Sequence, residues 1–325
     1  MTTNLPVNEH GFVLARSART AGRLAELRSE YERGDLRRVR QGVYVPVDRA
    51  APTSPKWRRD AAEYVLRVRA VAETRLNPVF TGYSAIALAG LPIVRAWPDD
   101  VFVLSPTGVG HRRGGVREVA RAQEVGTTIE GGLAVTSIEY SLLQLCRYAP
   151  LGAALCAVDA ALHTPRSGSR HPLTTLDLLR GEHERIKPYP GSAKADAVLA
   201  RATVHAESPL ETCSRLVIEE LGYPEPVLQK RFWLPDSAKH AIVDFWWPDH
   251  GVGAEADGHG KYGLGATASD AVEAVVGEKL REDELRHQLR GFARWDWDDM
   301  WKKRVLDARL IRAGLPKVRR PRTLL

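Results

Sequence analysis

Apolar positions recur at helical spacing over residues 17–34, where Ala21, Leu24, Leu27 and Tyr31 share one face and Gly34 stands ready to end the helix. The next run, LRRVRQGVYVP (36–46), carries two β-rich stretches around Gln41-Gly42 and reads as a hairpin closed by Pro46. A Pro- and Ala-rich linker (46–56) precedes a predicted helix over 58–76. Shorter pieces come next: a small helix within 79–94 ended by Gly90 and Pro92, then strands at 101–106, 116–122 and 133–137. Thr136 or Ser137 can cap a helix over 138–147, and an apolar helix occupies 151–164. A polar loop (165–173) leads to helices at about 175–185 and 192–204.

From residue 206 the pattern becomes helix, strand, hairpin, helix, strand, helix. Ser208-Pro209-Leu210-Glu211 opens the first helix and Gly222 ends it. The stretch 227–234 is a strand, and 240–257 reads as a hairpin turning at Pro248-Asp249-His250-Gly251. Asp270 caps a predicted helix to about 290, 292–297 is a last strand, and Asp298 or Asp299 caps a helix ending near Gly314.

The hairpin holds the candidate chemistry. Glu255 and Asp257 alternate with alanines, so a strand projects both from one face roughly 7 Å apart. Antiparallel pairing can bring Asp244 beside them. Three converging carboxylates repel one another unless a proton or a cation lies between them, and a hard divalent ion is the usual cation.

Composition narrows the setting. Hydrophobic content of 44% and charged content of 27% suit a chain that buries real cores, and 325 residues suggest two or three domains. Cys146, Cys156 and Cys213 have no metal-type spacing and form no even disulfide framework, so no zinc site is expected and a reducing cytoplasm is favoured. The N-terminus lacks a signal pattern, and the most apolar stretches are too short for a membrane span. Of the net charge of +7, residues 302–325 carry +8, so the rest of the chain is close to neutral. A second basic cluster lies between Arg16 and Arg40. Clusters of this kind suit a polyanionic partner such as double-stranded DNA, or are simply solvated faces.

Gly34-Asp35-Leu36-Arg37-Arg38-Val39-Arg40-Gln41-Gly42-Val43-Tyr44, with HGFVLARSA before it, resembles the N-terminal winged helix-turn-helix domain of AbiEi-type antitoxins. That resemblance implies DNA contacts from Arg19, Arg23, Arg37, Arg38 and Arg40. The layout of the middle region resembles the segment after the winged helix in the same antitoxin-like proteins. Its His111, His163, His171 and His183 show no ligand spacing.

The C-terminal order α-β-β-β-α-β resembles the PD-(D/E)XK nuclease core, in particular its Vsr-like branch, over about 206–300. The resemblance rests on Ser208-Pro209-Leu210-Glu211, Val243-Asp244-Phe245, Glu255-x-Asp257-Gly258, Lys261-Tyr262-Gly263 and 278–283. It implies catalytic residues Asp244, Glu255, Asp257 and Glu211, with Asp244, Glu255 and Asp257 holding Mg²⁺ or Mn²⁺. Asp257 stands where the family has lysine, so the catalytic cation would come from Lys279 or Lys261. Plainer roles also stand: Glu211 in a capping box, Asp257 in a turn, Lys279 and Lys261 in solvent.

The expected protein is therefore an α+β multidomain chain. Residues 1–50 form a winged-helix domain, 51–205 a mixed α/β connecting region, 206–315 a nuclease-like domain and 316–325 a basic tail. Two functions compete: a metal-dependent DNA endonuclease, and an AbiEi-like antitoxin or repressor with a non-catalytic nuclease fold. A toxin protein or a second copy of the chain are further partners to expect, and a membrane is not.

Overall fold

The computed structural model describes residues 3–49, 53–166, 168–169, 171–257 and 283–325. The protein is mixed α+β, with several small sheets. Its chain forms two compact units, residues 1–148 with 177–195, and residues 149–176 with 196–325. The middle stretch 51–205 therefore contributes to both.

The first unit begins with β1 (Val13–Leu14), α1 (Ala15–Thr20), α2 (Leu24–Glu32), β2 (Leu36–Arg40) and β3 (Val43–Pro46). The three strands form an antiparallel sheet in the order β1-β3-β2. Successive strand residues serve opposite faces, as a pleat requires. Val13 packs with Leu5, Ala18, Leu27 and Leu36, whereas Leu14 packs with Phe12, Val43, Val45 and Ala70. The single helix predicted over 17–34 is two helices. Gly22 adopts a left-handed φ of +70°, its N–H closes back on the Arg19 carbonyl, and the helix cannot continue through that conformation.

The unit continues with α3 (Lys56–Ala72), α4 (Tyr83–Leu88), β4 (Val101–Leu104), β5 (His111–Arg113) and β6 (Val116–Val119). β6 lies between β4, which it meets in parallel, and β5, which it meets antiparallel. β7 (Thr127–Glu130) and β8 (Leu133–Thr136) form a hairpin. β5 and β7 are not predicted from the sequence. All their residues are exposed, so they carry no apolar alternation to read.

After α5 (Ile138–Tyr148) the chain adds α6 (Leu151–Leu162) to the second unit, returns with α7 (Leu176–Ile186), and stays in the second unit after α8 (Ser192–Leu199). The second unit is organised on α9 (Pro209–Leu221). Ser208 caps it, Pro209 takes the first helical position, and Gly222 ends it at φ +89°. A Cβ at Gly222 would sit 2.2 Å from the Arg319 carbonyl, so only glycine fits. The C-terminal segment is tied down here: Val318 and Arg319 donate backbone N–H bonds to the Gly222 carbonyl, and Arg322 N–H bonds the Glu220 carbonyl.

β9 (Val227–Leu234), β10 (Lys239–Trp247), β11 (Val252–Ala256) and β12 (Gly291–Trp295) form one sheet in the order β12-β11-β10-β9. β10 pairs antiparallel with both neighbours, through a 3-10 turn at Pro248–His250 on the β11 side. β11 and β12 are parallel, which demands a crossover connection. Much of that connection, including most of the helix predicted from Asp270, lies outside the described residues. Residues 283–287 are helical, and Leu285 packs on Leu234, Ala241 and Val243.

β12 ends at Trp295, earlier than predicted, because Asp296 leaves the strand to cap α10 (Trp297–Trp301). Asp296 and Asp299 form a reciprocal capping box, so the cap is Asp296 and not Asp298 or Asp299. The predicted final helix is divided at Lys302, where ψ is 67°, and α11 (Lys303–Arg312) comes after the break. Among the described residues no helix is long and apolar enough to cross a membrane.

Candidate metal centre

Glu211 is placed by the cap of α9. Its own N–H donates to Ser208 Oγ at 3.2 Å, and its carboxylate accepts from Ser208 Oγ at 2.8 Å and from the Glu207 N–H at 3.0 Å. A third donor comes from β9: Gln229 Nε2 reaches Glu211 Oε2 at 2.7 Å. The capping role and the link to the sheet thus coexist in one side chain. Burial pushes the Glu211 carboxyl above its usual range, opposed by the bonds from Glu207, Ser208 and Gln229.

Gln229 also approaches Asp244 Oδ1, at 3.3 Å, so one amide bridges Glu211 and Asp244. Arg166 in turn donates to Gln229 Oε1 and binds Glu207 at 2.6 Å. The bridge has a backbone cost. Gln229 stands at φ +54°, and the pairing of β9 with β10 skips from Val243↔Lys230 to Phe245↔Leu228. A left-handed conformation at a residue with a Cβ costs on the order of 1 kcal/mol and is retained where the surroundings enforce it.

Asp244 lies on β10 at the point where pairing with β11 stops at Phe245↔Ala254. Its Oδ2 accepts the Ala256 N–H at 2.8 Å, taking over from the ladder and drawing the end of β11 toward it. Glu255 on β11 is buried, and Asp257, just past the strand, is half-buried. The Asp257 N–H is fixed by the Trp295 carbonyl at 2.8 Å.

A cation that lies outside the sequence motifs serves both. The β11–β12 register sets Glu255 beside Arg294, and Arg294 donates to Glu255 Oε2 while its Nε lies 3.0 Å from Asp257 Oδ2. Four carboxylates are thus drawn together in two pairs, Glu211 with Asp244 through Gln229, and Glu255 with Asp257 through Arg294. The Asp244 to Ala256 bond ties one pair to the other.

All four acids offer oxygen, the donor that hard divalent cations prefer. Among the described residues, however, these acids are not among the groups whose ligand atoms lie within 4.8 Å of one another, so their donor chemistry, and not a closed set of ligands, is what suits Mg²⁺ or Mn²⁺. Lys261 and Lys279, the expected sources of positive charge, lie outside the described residues, as do Gly258 and His259.

The expected DNA contacts divide into two kinds. Arg23 is held by Glu26 at 2.7 Å and Arg37 by Glu63 at 2.5 Å, so both guanidiniums are already paired. Arg19 and Arg38 are exposed and have no partner among the described residues, while Arg40 is half-buried and its pKa is lowered by burial and by Arg75.

Gln229 and Arg294 were legible in the sequence only as polar residues inside strand-like runs. Compared with protein-family models, with curated proteins and with solved structures, the chain matches none.

Proposed function

We propose that the second unit is a metal-dependent nuclease that hydrolyses DNA phosphodiester bonds and that the N-terminal helix-and-sheet segment delivers it to duplex DNA. The observation that carries this reading is the linkage of Glu211 on α9 to Asp244 on β10 through Gln229, and of Asp244 to the end of β11, beside which Arg294 joins Glu255 and Asp257. The antiparallel β9-β10-β11 run, its parallel β12 and the helix preceding it agree with a PD-(D/E)XK core of the Vsr-like kind. The two helices inserted between β1 and β2, closed by the β2–β3 hairpin, agree with a small winged helix.

Asp244, Glu255 and Asp257 would hold Mg²⁺ or Mn²⁺. When bound, such an ion polarises a phosphate and lowers the pKa of an attacking water. Glu211 and Gln229 orient the Asp244 carboxylate, and Arg294 offsets the repulsion between Glu255 and Asp257. Arg294 acts as a positioning residue.

Arg294 also favours a second reading. A guanidinium that already joins two of the four acids suits a nuclease fold kept as a DNA-binding or dimerisation platform, as in an AbiEi-like antitoxin or repressor. Incubation of the full chain with supercoiled plasmid and Mg²⁺ or Mn²⁺ separates the two. The nuclease reading expects nicking or linearisation that Asp244→Asn and Glu255→Gln abolish. Equal cleavage by wild type and variants, or none with either metal, supports the platform.

A further inference from the structure

A cavity of about 290 Å³ opens in the first unit, between the loop after β6, the outer turns of α5 and the segment following α7. The histidines of this region drew no chemistry from the sequence; the cavity presents a different set of residues. Tyr140, Gln144 and Arg147 reach it from α5, spaced so that they lie along one helical stripe. Arg121 lines it from the loop, and Pro188 and Tyr189 close another side.

Two largely buried side chains present polar atoms to this space. Gln144 is only 1% exposed; its Oε1 accepts from Arg147 at 2.6 Å, and its Nε2 has no partner among the described residues. Tyr140 is 3% exposed, and its hydroxyl likewise has none. Burial raises the Tyr140 pKa, which keeps the phenol protonated as a donor. Both donors open onto the cavity from otherwise buried side chains, so they are positioned to donate to whatever occupies it.

The charge is equally directional. Among the described residues Arg121 bonds the carbonyls of Ser105 and Gln123, and Arg147 bonds Gln144 and lies over the rings of Tyr148 and Tyr189. Neither is paired with a carboxylate among the described residues, and the cavity lining contains no acid. Two guanidiniums without counter-charge favour an anion, while Tyr189 and Pro188 offer an apolar wall for a flat ring. The volume lies at the lower end of the small-ligand range, which limits the occupant to one ring system with one anionic group.

We propose that this cavity binds a small aromatic anion, a planar ring bearing a phosphate or carboxylate. Arg121 and Arg147 hold the anionic group, and the Tyr140 hydroxyl and Gln144 Nε2 donate to acceptors on the ligand.

Calorimetric titration of the full chain tests it, with AMP, GMP, CMP and UMP as one arm and benzoate and indole-3-carboxylate as the other. Inorganic phosphate and adenosine serve as the anion and the ring alone. At least one aromatic anion is expected to bind at one site per chain, at least tenfold more tightly than phosphate or adenosine, and the arm that binds identifies the anionic group. Tyr140→Phe, which removes only the hydroxyl, is expected to weaken binding about five- to tenfold. Arg121→Met is expected to weaken it more, and Asp244→Asn to leave it unchanged. The proposal is overturned if no aromatic anion binds below millimolar concentration, or if Tyr140→Phe and Arg121→Met, shown folded by circular dichroism, bind as wild type does.

Discussion

Arg294 on β12 donates to Glu255 on the neighbouring parallel strand, although 39 positions separate them in the chain. Glu255 is 5% exposed, so loss of this partner removes a charge-assisted hydrogen bond from a buried carboxylate. Arg294→Met keeps the length of the side chain and removes its charge. The expected loss is about 1–3 kcal/mol, below the full value for a buried pair because Arg294 is about a third exposed. In urea unfolding, Glu255→Gln introduced into the Arg294→Met background should recover part of that loss. Additive effects of the two substitutions would show that the pair is not coupled.

Gln229 separates stability from site geometry. Gln229→Gly relieves a left-handed backbone at φ +54° but deletes the amide between Glu211 and Asp244. Stability should stay within about 1 kcal/mol of wild type, since the relieved strain offsets the lost bonds. Mn²⁺ affinity, read by calorimetry, should fall by about tenfold or more, as for other residues that orient metal ligands. Unchanged Mn²⁺ affinity in a folded variant would remove Gln229 from the site.

Asp159 on α6 predicts a pH dependence of folding. Its carboxylate accepts from the Thr203 N–H, from Thr212 Oγ1 and from Arg215, yet burial dominates and pushes its pKa up to about 6. An unfolded aspartate titrates near pH ~3.9, so between about pH 4 and 6 the folded state holds the extra proton. This contribution to stability is complete below about pH 4 and is lost as pH rises through 6, with a magnitude on the order of 3 kcal/mol. Urea unfolding of wild type and Asp159→Asn from pH 4 to 7 should show their stability difference moving in favour of the variant as pH rises. A difference that does not change with pH would contradict the shift.

The N-terminal arginines divide by whether they are already neutralised. Arg19→Ala with Arg38→Ala should weaken duplex DNA binding and reduce the slope of log affinity against log salt by about 2. Arg23→Ala and Arg37→Ala should change that slope by less than about 1 each, because Glu26 and Glu63 already compensate those charges. Fluorescence anisotropy across a salt series distinguishes the pairs, and equal slopes for all variants would remove this surface from the DNA interface.

The features read directly from the chain were those specified by neighbouring residues. Ser208, Pro209 and Glu211 carry their own helix start, and the 3-10 turn at Pro248–His250 with Gly251 reverses β10 into β11. The two small exposed strands, β5 and β7, escaped notice because nothing on them is buried. The helix broken at Gly22 kept an apolar period across the break, and the one divided at Lys302 was read from its end signals alone, so neither break showed.

The sequence by itself determined that Asp244, Glu255 and Asp257 stand on a hairpin, since alternation and turn chemistry act over a few residues. Only the tertiary structure decided what surrounds them: the parallel pairing that sets Arg294 against Glu255, the amide of Gln229 between Glu211 and Asp244, and the cavity that Tyr140 and Gln144 face. Those relationships join residues that are distant in the chain, and they arise from sheet order and packing, whose energies depend on the whole set of buried contacts and leave no short-range pattern to read.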